Sequence, residues 1–184
     1  MKIILASNSP RRKDLLREHN IDFIVIPSKV DEVIDAQLDV YQNVKRLALS
    51  KGLDVFKEHN DSLVIAADTI VVYNGEILGK PKDELDAFRM LKLLSGKVHE
   101  VITGIAILCK DKVVNECEIS KVKFKEISEE DVLDYIKTKE PMDKAGSYAI
   151  QGIGSKFIEY YDGDYDNIVG LPMKLLLEKL SSIE

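Results

Sequence analysis

Met1–Ala6 is a short apolar run, and Ser7-Asn8-Ser9-Pro10-Arg11-Arg12 turns it straight into a helical pattern whose apolar positions begin at Leu15 and Leu16. Ser9 suits the N-cap and Pro10 the first helical position. A strand that runs directly into a helix start is a ready anion site. Backbone N–H groups and the positive end of the helix dipole converge there. Arg11 and Arg12 stand on this same turn, where the dipole disfavours cations. They are either solvated charges on an ordinary strand–helix turn, or a bound phosphate draws them there, since guanidinium grips phosphate oxygens in bidentate fashion.

The pattern continues in alternation. Ile21–Pro27 reads as a strand and Asp39–Lys57 as a long helix with apolar positions at Val40, Val44, Leu47, Ala48 and Val55. Leu63–Tyr73 is a strand, Asn74-Gly75 a hairpin turn, and Glu76–Leu78 the return. Asp83–Leu94 is a helix stopped by Gly96, and Val98–Leu108 and Val113–Lys125 are two long strands. Ser128 caps a helix to about Thr138, Pro141–Tyr165 reads as loops and short strands, and Pro172 opens a final helix. Early alternation followed by a long hairpin predicts an α/β fold with a mixed sheet and flanking helices.

Length and charge bound the function. A chain of 184 residues suits one large domain or two closely packed lobes, here expected as a single domain over 1–184. The net charge of −6 argues against a broad nucleic-acid-binding face. No apolar run approaches a membrane span, and Ile3–Ala6 is too short for the core of a secretory signal. Cys109 and Cys117 are expected as reduced thiols, and a cytoplasmic location follows from the same reading.

Asp68 is the sharpest residue. It interrupts an apolar strand buried on both faces, where an unpaired carboxylate costs several kcal/mol. Either it pairs with a Lys or Arg inside the core, or it serves a site. Lys80, in Gly79-Lys80-Pro81, is folded back by the hairpin along the Asp68 strand, although the glycine spacing of a P-loop is missing. Asp31 and Glu32 follow a strand and are either a polar turn or oxygen ligands for a hard cation. Arg46 and Lys51 lie on the long helix, and periodicity alone assigns neither. The segment 143–154 is dense in glycine, and its Gln151 has both donor and acceptor to read a base edge. His99 is expected to be structural, because the three histidines lack metal-ligand spacing.

These motifs together resemble the Maf family. The resemblance lies in Leu5–Arg12, Ala67-Asp68-Thr69-Ile70-Val71, Gly79-Lys80-Pro81 and Ser95-Gly96-x-Val98-His99-x-Val101-x-Thr103-Gly104. Asp143–Gly146, Tyr148-x-Ile150-Gln151-Gly152 and Val169-Gly170-Leu171-Pro172 complete it, in order and over nearly the whole chain. It implies a nucleoside triphosphate pyrophosphatase that forms monophosphate and pyrophosphate with a divalent cation, Mg²⁺ or Mn²⁺. It also implies a two-lobed fold with a deep cleft, similar to inosine triphosphate pyrophosphatases. By the resemblance Asp68 is the catalytic acid that activates water. Arg11, Thr69 and Gln151 fall at positions of substrate choice, and Ser7, Arg12, Glu32, Lys51 and Lys80 at other polar positions. Glu32 and Asp68 are the implied metal ligands. Lys29 departs from the family, where an acid is common. Asp68-Thr69 and Tyr148-x-Ile150-Gln151 resemble the branch that prefers dTTP and UTP over 7-methyl-GTP, with modified pyrimidine nucleotides as further substrates. The implied partner is the nucleotide substrate, with neither nucleic acid nor membrane, and a homodimer is compatible. The rival reading is a non-catalytic nucleotide-binding regulator of cell division.

Overall fold

The first strand, β1 (Ile3–Leu5), hands over to α1 (Pro10–Glu18) as the sequence leads one to expect: Ser9 is the N-cap, its hydroxyl accepts from the Arg12 amide, and Pro10 is the first helical residue. The structure is a computed structural model and describes residues 1–183. The order continues with β2 (Ile24–Val25), α2 (Val40–Phe56), β3 (Leu63–Tyr73), β4 (Glu76–Leu78), α3 (Glu84–Leu94), β5 (Val98–Cys109) and β6 (Lys112–Phe124). Then come α4 (Glu129–Lys137), three 3₁₀ turns, β7 (Ile158–Asp162), α5 (Tyr165–Val169) and α6 (Met173–Ser181). The strands form one mixed sheet of seven, ordered β2-β1-β3-β5-β6-β7, with β4 paired to β3. β1 pairs in parallel with β2 and β3, whereas β3–β4 and β6–β7 are antiparallel.

Three sequence expectations shift in detail. The strand expected over 21–27 forms ladder pairs only at Ile24 and Val25. Between Pro141 and Tyr165 the chain coils into the 3₁₀ turns Glu140–Asp143, Ala145–Ser147 and Ile153–Phe157. Such short turns leave no apolar period to read. The one-turn helix α5 is equally silent in the sequence.

The chain divides into two compact units. The first comprises Met1–Thr69, Thr103–Glu118 and Gly170–Glu184, and the second Ile70–Ile102 and Ile119–Val169. In the first, Ile4, Ala6, Ala48, Val55, Val64, Ala66, Ala106 and Leu108 form a core between α2 and the sheet. Two glycines let the helix lie close. A Cβ on Gly104 would stand 2.5 Å from the Val44 carbonyl oxygen, and one on Gly52 would stand 2.3 Å from the end of Leu108. In the second unit, α3 buries Ala87, Met90, Leu91 and Leu94, and α4 buries Val132, Tyr135 and Ile136. Cys109 and Cys117 are both free. No helix among the described residues is long and apolar enough to cross a membrane.

Candidate active site

Asp68 is the next-to-last residue that β3 contributes to the first unit, and its side chain is 8% exposed. The sequence left two explanations for such a carboxylate, and the structure supplies a partner. Lys51 Nζ lies 2.5 Å from Asp68 Oδ1 and 2.7 Å from Glu32 Oε1. Lys51 is itself buried on α2. Its position was legible after all: Val44, Ala48, Lys51 and Val55 share one helical stripe at spacings of four, three and four. A lysine on an otherwise apolar stripe is the signal that the spacing from Arg46 concealed. Arg46 lies off that stripe and donates to the Val33 carbonyl.

Glu32 arrives on a loop without regular structure, and α2 fixes that loop at both ends. Ser28 Oγ and the Lys29 amide donate to Asp54 Oδ2 at 3.2 and 2.9 Å. Further along, the Asp35 amide donates to Asn43 Oδ1 at 2.8 Å, and Asn43 Nδ2 returns a bond to Asp35 O at 2.9 Å. Glu32 sits between these anchors and reaches Lys51 of the same helix. The departure at Lys29 therefore leaves the acid–lysine contact intact. Asp31 is exposed. Glu32 is 46% exposed, so the pair of carboxylates has one dry and one wet member.

The arginines of the first turn divide. Arg12 Nε donates to Gly170 O at 2.8 Å, Nη1 to Ser7 Oγ at 3.2 Å and Nη2 to Thr69 Oγ1 at 3.1 Å. Thr69 Oγ1 is also 2.9 Å from Thr103 Oγ1. Arg12 is thus an anchored side chain joining the turn, β3 and the segment before α6. Gly170 at φ +132° makes that segment's path accessible to glycine alone. Burial lowers the Arg12 pKa from its ordinary value, Asp68 opposes the shift, and Arg11 reinforces it by like charge. Arg11 is half-buried beside it. Ser7, Arg11, Arg12, Glu32, Lys51, Asp68 and Thr69 therefore gather in the first unit.

Lys80 and Gln151 belong to the second unit. Leu78 pairs with Val71, and exposed Lys80 follows two residues later. Gln151 is exposed on the turn between Ala149 and Gly152. His99 packs in this unit's core: its Nε2 is 2.7 Å from the Tyr148 hydroxyl, and its ring meets Phe124 edge-on. Burial pushes the His99 pKa down to about 3.

Chemically, the first-unit cluster can bind anionic oxygens through its guanidinium groups and can take a proton on a carboxylate kept beside an ammonium group. It can also offer a hard cation two carboxylates. Lys51 already shows a positive charge held between Glu32 and Asp68. Among the described residues no group of three or more His, Cys, Asp or Glu could hold a metal ion alone. Two carboxylates with the remaining positions left to phosphate and water is the pattern Mg²⁺ favours, so the residues fit such an ion.

The fold class is that of the Staphylococcus aureus Ham1 protein, whose structure covers the whole of both chains at a TM-score of 0.56 with 15% identity. This likeness bears out the α/β mixed-sheet expectation. Residues 2–183 match the family model described as "Maf-like protein", and the chain belongs to that family. It is similar to proteins named dTTP/UTP pyrophosphatase. The Bacillus cytotoxicus protein is 50% identical over 183 residues, covering 100% of this chain and 96% of the relative. The Clostridioides difficile protein is 52% identical over 188 residues, covering 100% and 97%.

Proposed function

We propose that this chain is a nucleoside triphosphate pyrophosphatase that hydrolyses dTTP and UTP to the monophosphate and pyrophosphate. The reading is supported by relatives of that name along the whole chain. The structural observation that carries it is the buried Asp68 carboxylate, held by Lys51 in an otherwise apolar strand. Lys51 offsets the cost of burying that charge, and hydrolysis needs a base of this kind.

In this reading Asp68 accepts a proton from water as the water oxygen bonds to the α-phosphorus. The bond from that phosphorus to the bridging oxygen breaks, and pyrophosphate leaves with the electron pair. Lys51 aims Asp68 through their ion pair. Arg11 and Arg12 face the phosphates, with Arg12 pre-set by Ser7, Thr69 and Gly170 so that little reorganisation is needed when charge arrives. Glu32 and Asp68 would hold a divalent cation, which supplies charge neutralisation when bound. Lys80 as a phosphate ligand and Gln151 as the base reader rest on the family motifs that carry them. A single-domain enzyme working in the cytoplasm completes the proposal.

The deciding experiment is pyrophosphate release by the purified chain across dTTP, UTP, CTP, ATP, GTP, 7-methyl-GTP and modified pyrimidine triphosphates. dTTP and UTP should be turned over at least about tenfold faster than the purine nucleotides, the discrimination expected of a site that hydrogen-bonds a base edge. Binding of nucleotide with no release from any of them would favour the regulator instead. Equal rates on dTTP and 7-methyl-GTP would refute the branch.

A further inference from the structure

The loop that carries Gln151 has a side chain of its own to hold it. Gly152 is the N-cap of the 3₁₀ turn Ile153–Phe157, and no local side chain caps that turn. Its first amides need an acceptor. Glu140, twelve residues earlier, supplies one. Its Oε1 accepts from the Ile153 amide at 2.9 Å and its Oε2 from the Gly154 amide at 3.0 Å. The Tyr135 hydroxyl, on buried Tyr135 of α4, donates to the same Oε2 at 2.5 Å. That hydroxyl also accepts from the Ala149 amide at 3.4 Å.

One hydrogen-bonded pair therefore grips the backbone on both sides of Gln151, at residue 149 and at residues 153 and 154. The fit leaves no slack. A Cβ on Gly152 would stand 1.9 Å from Glu140 Oε1, and one on Gly154 would stand 2.5 Å from the Tyr135 hydroxyl. Glu140 is in turn set by its amide bond to Thr138 Oγ1 at 3.2 Å and by Lys144 Nζ, which donates to its carbonyl at 2.9 Å. Burial works against the Glu140 carboxylate, but the Tyr135 hydroxyl and the two amides outweigh it and hold the pKa below its usual value. The Gln151 side-chain amide has no hydrogen bond to another described residue, so the backbone that bears it sets the only fixed point of its reach.

We propose that Glu140, with Tyr135, is a positioning residue for base selection: the pair fixes the Gln151 backbone, and the pyrimidine preference depends on that fixation. This rests on Gln151 reading the base. The test compares the full chain with Glu140→Gln, Tyr135→Phe, Gln151→Ala and Glu140→Gln/Gln151→Ala. Glutamine keeps the volume of Glu140 but turns an N–H₂ group toward one of the two amides. Two readouts are taken: amide hydrogen exchange at residues 149–154, and kcat/KM for dTTP, UTP, ATP and GTP.

Glu140→Gln should speed exchange at Ile153 and Gly154 by about tenfold or more as local opening becomes easier. It should also lower the dTTP-to-ATP preference by about tenfold, mainly by raising KM for dTTP. In the double variant the preference should fall no further than in Gln151→Ala alone. Tyr135→Phe should move both readouts in the same direction. Unchanged exchange, or an equal fall on all four nucleotides, overturns the role of Glu140. If Gln151→Ala keeps the preference while Glu140→Gln still speeds exchange, the base-reading role of Gln151 fails and the selectivity claim falls with it, though the grip itself stands.

Discussion

Replacing Lys51 by Met tests whether one ammonium group holds the charge centre of the first unit together. Methionine keeps most of the apolar stem against α2's neighbours and removes the charge. Lys51 and Asp68 have side chains 10% and 8% exposed, so their ion pair is dry and its loss leaves a buried carboxylate without its hydrogen-bonded cation. Breaking such a pair from one side costs about 3–5 kcal/mol. The contact to Glu32, 46% exposed, adds about 0.2–1 kcal/mol at most. For a chain of this size about 3–5 kcal/mol lowers the melting temperature by about 6–20 °C. Urea titration followed by circular dichroism measures the loss, and an unchanged m-value shows that the same surface unfolds. Adding Asp68→Asn to Lys51→Met should return about 1–3 kcal/mol, because an amide does not need the cation. A Lys51→Met protein within about 1 kcal/mol of the parent, with no coupling to Asp68→Asn, would refute the argument.

The remaining expectations concern chemistry and pH. Asp68→Asn should fold and should lose turnover of dTTP by at least about a hundredfold, the lower range for removing a general base; near-normal pyrophosphate release would remove Asp68 from its role. EDTA should stop the reaction and Mg²⁺ or Mn²⁺ restore it, since two carboxylates and a triphosphate suit a hard cation; full activity after exhaustive chelation would leave the charge to Arg and Lys alone. His99 has a folded pKa of about 3, below the ordinary histidine value, so the unfolded chain takes up its proton first as the pH falls. Its contribution is intact above about pH 6.5 and declines toward pH 3, by up to about 1.4 kcal/mol per pH unit. Urea titrations between pH 7 and 4 should show a shallower acid slope for His99→Gln than for the parent, and parallel slopes would contradict the assignment.

What the chain announces without its fold is local. Ser9 and Pro10 start α1, Ser128 caps α4, and Asn74-Gly75 closes a hairpin, because each depends on bonds within a few residues. Asp68 betrays itself as a charge in an apolar run; Lys51 carries a like signal on its helical stripe, but its spacing from Arg46 conceals it and the contacts of the fold single it out. Their meeting is another matter. Lys51 reaches Asp68 only because Gly52 and Gly104 let α2 settle closely on the sheet. The sequence leaves Arg12 either a solvated charge or a phosphate-drawn one, and its bond to Gly170, 158 residues away, is visible only in the fold. Glu140 carries no signal at all in the sequence, because its partners are the amides of Ile153 and Gly154, and every residue but proline has an amide. Caps, turns and faces are thus written in neighbouring residues. Which carboxylate meets which lysine, arginine or backbone amide is decided by the strand order and close helix packing that bring distant residues within 3 Å.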